Sequence, residues 1–530
     1  MIRTTKWLLL LIALLLSPLF ARVAGAQTTY NAASCSESAV QSAYATEQGS
    51  KADGDIISIP ACSATTWSSA WSISPTNSLT IKGQSTTSGT CAPGGTCTAT
   101  DNTNITLGAS LTINTAAGKS FRMTGMSFTV SFGPAYGAIN FKGASTAVRG
   151  DHNHFTDNTV GDHTIQVDGI RGVFDHNYLQ TPNGENINFF QITNYGTDGM
   201  ADAIWTVPDN FGSSDYVFIE NNYFVGSFVY DCDFGGKIVL RYNIAWYGTQ
   251  IQTHGVGSGA QVRGCRSVET YGDTFTYSAN PSATNFAFLV DYESGTGMWW
   301  NITTTGFLAF LREDEIRANT DTYGAQTSTP NGWGMCGSGS TGTGSAWDSS
   351  TSGTGYPCLD QIGRGAGQLI SGSFPSKVNS STGTIAWPHQ ALVPVYAWDN
   401  TLNQVPQERT IGYWDNYESP ATAVENRDYY LQLPNAQESA TFNGTAGIGQ
   451  GPLASKPSSC TPSVGWWATD QGNWNQSGNG AGNGVLYVCS ATNTWTASYT
   501  PYTYPHPLVS GGGTTVTQPA APTGLTAAVN

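Results

Sequence analysis

The sequence predicts an all-β protein made of stacked coils, and three observations predict it. A short β-branched or aromatic strand, a turn asparagine and an aromatic recur as "VRGDHNHF" (148–155), "GVFDHNYL" (172–179), "VFIENNYF" (217–224), "IVLRYNIA" (238–245), "VETYGDTF" (268–275) and "VYAWDNTL" (395–402), with "MWWNITTT" around Asn301 a looser copy. The aligned sixth positions are Asn153, Asn177, Asn222, Asn243, Asp273 and Asn400, the first five separated by 24, 45, 21 and 30 residues. Charged residues are only 11% of the chain against 12% aromatics and 62 glycines, which suits a turn-rich β protein and not a disordered one.

A unit of this kind cannot bury its own apolar face, so the coils must stack, each adding a strand to a parallel sheet. Asparagine suits the repeated turn because its side chain bonds nearby backbone and tolerates the left-handed conformation. Stacked along the axis, such asparagines can also bond to one another as a ladder. The 45-residue gap is close to two rungs, and "INFFQITNY" (187–195) is the expected supplier of the second.

The chain opens "MIRTTKWLLLLIALLLSPLFARVAGAQ", with Arg3 and Lys6 before an apolar run and Ala24-Gly25-Ala26 after it. This predicts a secretory signal peptide over residues 1–26 and an exported protein with no membrane span. Cleavage takes away Arg3, Lys6 and Arg22 and no acid, so the net charge moves from −15 to −18. So acidic a balance argues against nucleic acid and fits a neutral glycan, or an anionic one held through a cation. Export and an even count of 10 cysteines predict disulfides. Pairing of neighbours would give Cys35–Cys62, Cys91–Cys97, Cys232–Cys265, Cys336–Cys358 and Cys460–Cys489, although sequence leaves the connectivity open.

The run "ADGDIISIPACSATTWSSAWSISPTNSLTIKGQ" (52–84), followed by the asparagine-turn repeats, resembles the pectate-lyase-like, single-stranded right-handed parallel β-helix superfamily. The resemblance covers roughly residues 28 to 402 and implies an N-terminal helix capping the first coil. "SCSESAVQSAYATEQGS" (34–50) fits that role, with Ser34 or Ser36 as N-cap. The superfamily includes lyases, hydrolases, esterases, epimerases, adhesins and tailspikes, so the resemblance implies a fold and not one chemistry. The expected organisation is a β-helix over 27–405 with a Gly/Ser-rich, disulfide-stapled excursion at 320–368. A connecting segment (406–452), a cysteine-stapled aromatic β module (453–508), and a linker opening a fibronectin type III-like first strand (509–530), truncated or vestigial, follow. In the module Trp466, Trp467, Trp474 and Trp495 are either sugar-stacking faces or the core of a unit too small to fold without a staple.

Side chains alternate across a strand, so if the third repeat position faces inward the fourth faces out. That column reads Asp151, Asp175, Glu220, Arg241, Tyr271. With rungs about 4.8 Å apart, Asp151, Asp175 and Glu220 could offer oxygen ligands to Ca²⁺ or act as acid and base in a surface groove. The simpler reading of the column is a solvated acidic face closed by a ladder salt bridge from Arg241. His152, His154 and His176 are stacking turn residues or, for His176, a substrate contact. "VDYESGTGMWW" (290–300) places the catalytic candidates Asp291 and Glu293 before the glycan-platform candidates Trp299 and Trp300, and "FLREDEIR" (310–317) adds charge where the repeat breaks.

A glycoside hydrolase needs two carboxyls roughly 5–9.5 Å apart. A lyase, as the resemblance implies, needs an Arg or Lys base with Asp-bound Ca²⁺, for which Arg241, Lys237, Arg263 or Arg266 could serve. "GVFDHN" matches the pectate lyase strand motif only in part. No GxSxG elbow or phosphate-binding loop is present. The sequence therefore supports two functions: an extracellular, monomeric lyase or hydrolase acting on polysaccharide in a groove of the coil, or a non-catalytic surface, adhesion or carbohydrate-binding scaffold.

Overall fold

The computed structural model describes residues 27–88, 98–159, 163–181, 188–196, 201–226, 228–246, 251–255, 263–277, 288–307, 309–313, 360, 362–367, 390–402, 405–406, 411–413, 425–433, 441–477 and 482–510. Among them, three long sheets, here A, B and C, hold twelve, eleven and ten strands in register-matched stacks, every pairing parallel except the last of sheet B. Each coil contributes one strand to each sheet in turn, for example Ala147–Asp151 to A, His154–Asp157 to B and His163–Asp168 to C. This is a parallel β-helix. Inward columns such as Ile165, Phe190, Tyr230, Ile251 and Val290 stack rung on rung in register. All five are buried in one continuous core.

The helix α1 (Glu37–Ser50) caps the first coil. Ser36 accepts a hydrogen bond from Ala39 N at 3.4 Å, and Lys51 ends the helix in the left-handed region. Val40 and Ala43 pack onto the coil, while Asn77 Nδ2 donates to the buried Glu47 Oε1 at 2.7 Å. The Cys35–Cys62 disulfide ties the cap to the first coil. Cys232–Cys265 and Cys460–Cys489 are also formed, whereas Cys91, Cys97, Cys336 and Cys358 lie outside the described residues, as do residues 1–26 and 511–530 and nearly all of 320–368.

Sheet A turns into sheet B through a single left-handed residue, and the same position recurs as His152, His176, Asn221, Tyr242, Gly272, Asn301 and Asp399, with φ from 52° to 72°. The next residue is the ladder. Asn177 Oδ1 accepts from Asn153 N at 3.0 Å and Asn153 Nδ2 at 3.1 Å. Asn222 Oδ1 does the same for Asn177, Asn243 for Asn222, and Asp273 for Asn243. Ile302 interrupts the ladder before Asn400, so Asn301 belongs to the turn and not to the ladder.

Two sequence expectations change. The 45-residue interval is one coil, because Gly172–Asp175 pairs directly with Val217–Glu220, and Asn188–Thr193 is the sheet C strand of that coil. The extra length is spent on a turn of helix at Asp202–Trp205 and the segment after it. The coil also runs past 405, with Tyr429–Leu431 as the last strand of sheet A, and the module's sheet begins at Ile448–Gly451.

Removing a ladder side chain orphans buried backbone and amide groups. Asn222→Ala should therefore cost about 1–3 kcal/mol, read as a lower urea midpoint. An unchanged midpoint would mean that the ladder is decoration. Asp273 generates a second expectation. Its Oδ2 has no hydrogen-bond partner among the described residues, and burial pushes the carboxyl up to about 8. The folded state then keeps a proton that the unfolded chain releases near about pH 4. The stability it contributes is complete below that value and lost as pH rises through about 8. Asp273→Asn should flatten the fall in melting temperature between about pH 4 and pH 8, and parallel profiles for both proteins would sink this account.

Candidate functional site

The column expected to line an open groove faces outward from sheet A but is covered. Asp151, Asp175, Glu220, Arg241 and Tyr271 are in register and all fully buried. The C-terminal module lies over them. Its strands Gly465–Ala468, Val485–Ala491 and Thr494–Tyr499 and the segment after them form a second core with Val173, Phe218, Tyr271, Trp300 and Trp398.

Each carboxylate of that column holds a cation already present in the chain. Arg122 clasps Asp151 through two bonds of 2.7 Å, and Arg149 clasps Asp175 through two of 2.8 Å. Arg241 Nε donates to Glu220 at 2.7 Å. The expected Ca²⁺ ligands are thus engaged by guanidinium groups. Burial works against the Asp151 charge, but Arg122, His152 and Arg149 hold its carboxyl well below the usual range.

Arg241 also reaches across to the tail, donating to Tyr502 O at 2.8 Å and Thr503 O at 3.0 Å, with its guanidinium over Phe218 and Tyr504. His506 N donates to Glu220 and Tyr499 Oη to Glu269. Arg241 is therefore a clasp between coil and module, not an accessible base. The other candidate bases are equally enclosed: Lys237 by Tyr216 and Asp209 O, Arg263 by Asp360 and Trp205, Arg266 by Asp209 and Trp205.

The tryptophans are corrected too. Trp299 points into the coil against Tyr292, and Trp300 is sandwiched between Tyr271 and Trp398 under the module. Neither offers a face to a glycan. Trp466, Trp467 and Trp474 are buried as module core, and Trp495 is partly covered. His152 and His176 remain half-exposed, stacked at 5.2 Å with their Nδ1 atoms on Asp151 and Asp175.

Asp291 and Glu293 lie elsewhere, on the outer side of sheet C, where they too are buried, and the structure gives them company that sequence reasoning missed. In register run Gln166, Gln191, Asp231, Gln252 and Asp291. Two residues on in each of three successive coils come Asp233, His254 and Glu293. His254 Nδ1 meets Asp231 Oδ1 at 3.0 Å, and His163 Nε2 lies 3.5 Å from Asp231 Oδ2. Glu293 accepts from Gln252 Nε2 at 3.0 Å and Gly255 N at 2.8 Å. One ligand atom from each of Asp231, Asp233 and His254 lies within 4.8 Å of the others.

The environment splits these acids. Burial opposes the charge on Asp231, but His254 and His163 outweigh it and hold the carboxyl low. Burial raises Asp233, with Asp231 and Glu293 adding to the rise. Burial also works against the charge on His254, which Asp231, Glu293 and Asp233 nevertheless hold well above the ordinary imidazole value.

A signal for this site existed in the sequence. "DCD" at 231–233, "QTH" at 252–254 and "DYE" at 291–293 are polar–x–polar at the same place in consecutive coils, with one side chain of each triplet turned inward. The asparagine-turn alignment, which tracks sheet A, passes over it.

No family model matches the chain, and no curated protein does. Among solved structures, an alginate lyase from Paenibacillus sp. str. FPU-7 matches at a TM-score of 0.32 and 13% identity, over 54% of this chain and 98% of that one. At that likeness it carries no inference about chemistry.

The clasp gives a test of the covered face. Arg241→Met leaves Glu220 buried without its guanidinium, which should cost about 3–5 kcal/mol and expose the 499–510 segment to limited proteolysis. Combining it with Glu220→Gln should recover part of the loss. Equal protease resistance in wild type and Arg241→Met would show that the module docks without the clasp.

Proposed function

We propose that this is an exported enzyme that hydrolyses a neutral polysaccharide on the outer face of sheet C, with Asp231, Asp233, Glu293 and His254 as its acid/base set. The observation that supports this reading is the convergence of those four side chains from three successive coils, on a face otherwise rich in amides. Acid/base cleavage of a glycosidic bond needs one carboxyl kept protonated beside one kept ionised, and the surroundings of Asp233 and Asp231 separate them in that sense. The amides of the same column support the acids from within, Gln166 donating to Gln191 at 2.8 Å and Gln252 to Glu293 at 3.0 Å. An acidic cluster in a chain of net charge −15 favours a neutral glycan over a polyuronate.

Disulfide bonds and the predicted signal peptide support an extracellular setting. Among the described residues, no helix is long and apolar enough to cross a membrane.

A panel of neutral and uronate glycans, followed for reducing ends and for the ultraviolet absorbance of unsaturated uronates, tests the proposal. Reducing ends without absorbance are expected. Asp233→Asn and Asp231→Asn should each lose about 100-fold or more while keeping the wild-type melting profile within a few degrees. Unsaturated products would replace hydrolysis with a lyase. Binding without any product would favour the scaffold function.

A further inference from the structure

We propose that Asp231, Asp233 and His254 form a site for a divalent transition cation of the Zn²⁺ or Mn²⁺ class. The three side chains come from two adjacent coils: Asp231 sits in the sheet C ladder, and Asp233 and His254 follow directly on its strands with backbone bonds to Ile192 O and Cys232 O that continue it. Their ligand atoms already lie within 4.8 Å of one another, and small rotations bring such a set to metal distances near about 2.0–2.2 Å.

A second observation points the same way. His163 is 7% exposed, its Nδ1 has no hydrogen-bond partner among the described residues, and its Nε2 pairs with Asp231 Oδ2 at 3.5 Å. A buried imidazole nitrogen without a hydrogen bond costs free energy, and an imidazole set against a carboxylate can orient that carboxylate as a ligand. His163 is thus placed to join the coordination shell or to orient Asp231 within it.

The chemistry of the donors selects the ion. Two carboxylates with one or two imidazoles make a mixed oxygen–nitrogen set, which suits Zn²⁺ or Mn²⁺. Ca²⁺ asks for six to eight oxygens, which this set does not offer. The thiol chemistry that would draw softer ions is absent nearby, since Cys232 is bonded to Cys265. The local charge agrees: Asp231, Asp233, Asp291 and Glu293 share this face with His163 and His254. A bound cation would replace the His254–Asp231 hydrogen bond and offset the acid excess.

The inference rests on the same cluster as the proposed catalytic centre, but its test reads binding and not activity. Untagged full chain, stripped with chelator, is titrated with Zn²⁺ and with Mn²⁺ in a non-coordinating buffer by calorimetry. One equivalent per chain is expected, together with a rise in melting temperature at saturation. His254→Ala and Asp233→Asn should each weaken binding by tenfold or more on the order expected for a lost ligand. His152→Ala, on the opposite side of the coil turn, should leave it unchanged. Circular dichroism and melting of each variant show whether it is folded.

The absence of saturable binding to the wild-type chain would overturn the cation site, as would unchanged affinity in folded His254→Ala and Asp233→Asn. Cation binding without glycan cleavage would leave this inference standing and overturn the proposed function. Cleavage that survives chelation, with no binding, would do the reverse.

Discussion

Everything in this molecule depends on one turn being made the same way in every coil. Between sheets A and B the chain must reverse at a single left-handed residue, which leaves backbone N–H groups turned into the interior. A buried donor without an acceptor is costly, so the next side chain must supply an oxygen. Asparagine does so twice over: its oxygen takes the backbone and amide N–H of the preceding rung, and its amide donates to a strand carbonyl of that rung and to the ladder oxygen of the next. Because each asparagine is satisfied only by its neighbour one rung away, the ladder fixes the register of sheet A, and continuity of the coil passes that register on to sheets B and C.

Fixed register turns sequence positions into columns, and what a column does depends on what covers it. On sheet A the outward column is acidic at one end and aromatic at the other, running from Asp151 to Trp398. The acids are closed by arginines in rung-to-rung pairs, and the aromatics by the module. Arg241 belongs to both arrangements, since it neutralises Glu220 while donating to two carbonyls of the tail. On sheet C the outward column is also largely buried, and the side chains that gather there are acids, amides and imidazoles paired with one another.

Much of the fold was legible in the residues. The strand–Asn–aromatic repeat carried the stacked coil, Ser36 the start of the cap, and the alternation of Ile219 and Glu220 the inward and outward faces. The site was legible only in part. Asp291 and Glu293 could be picked out beside each other in the chain, but Asp231, Asp233, His163 and His254 join them from other coils, as far as 130 residues away in sequence. The 45-residue interval was misread for a related reason: a coil can absorb an insertion at a corner without changing the register of its strands.

The sequence by itself determined the repeating unit, because period-two alternation and a turn asparagine are local chemistry that each coil must satisfy alone. It also determined that outward positions would be acidic along one column. Only the tertiary structure decided which acids are buried under arginines and a docked module and which converge with histidines on another face. Local pattern sets the direction of a side chain. Its partner is set by whichever segment, here one more than 250 residues further along the chain, folds back over that direction.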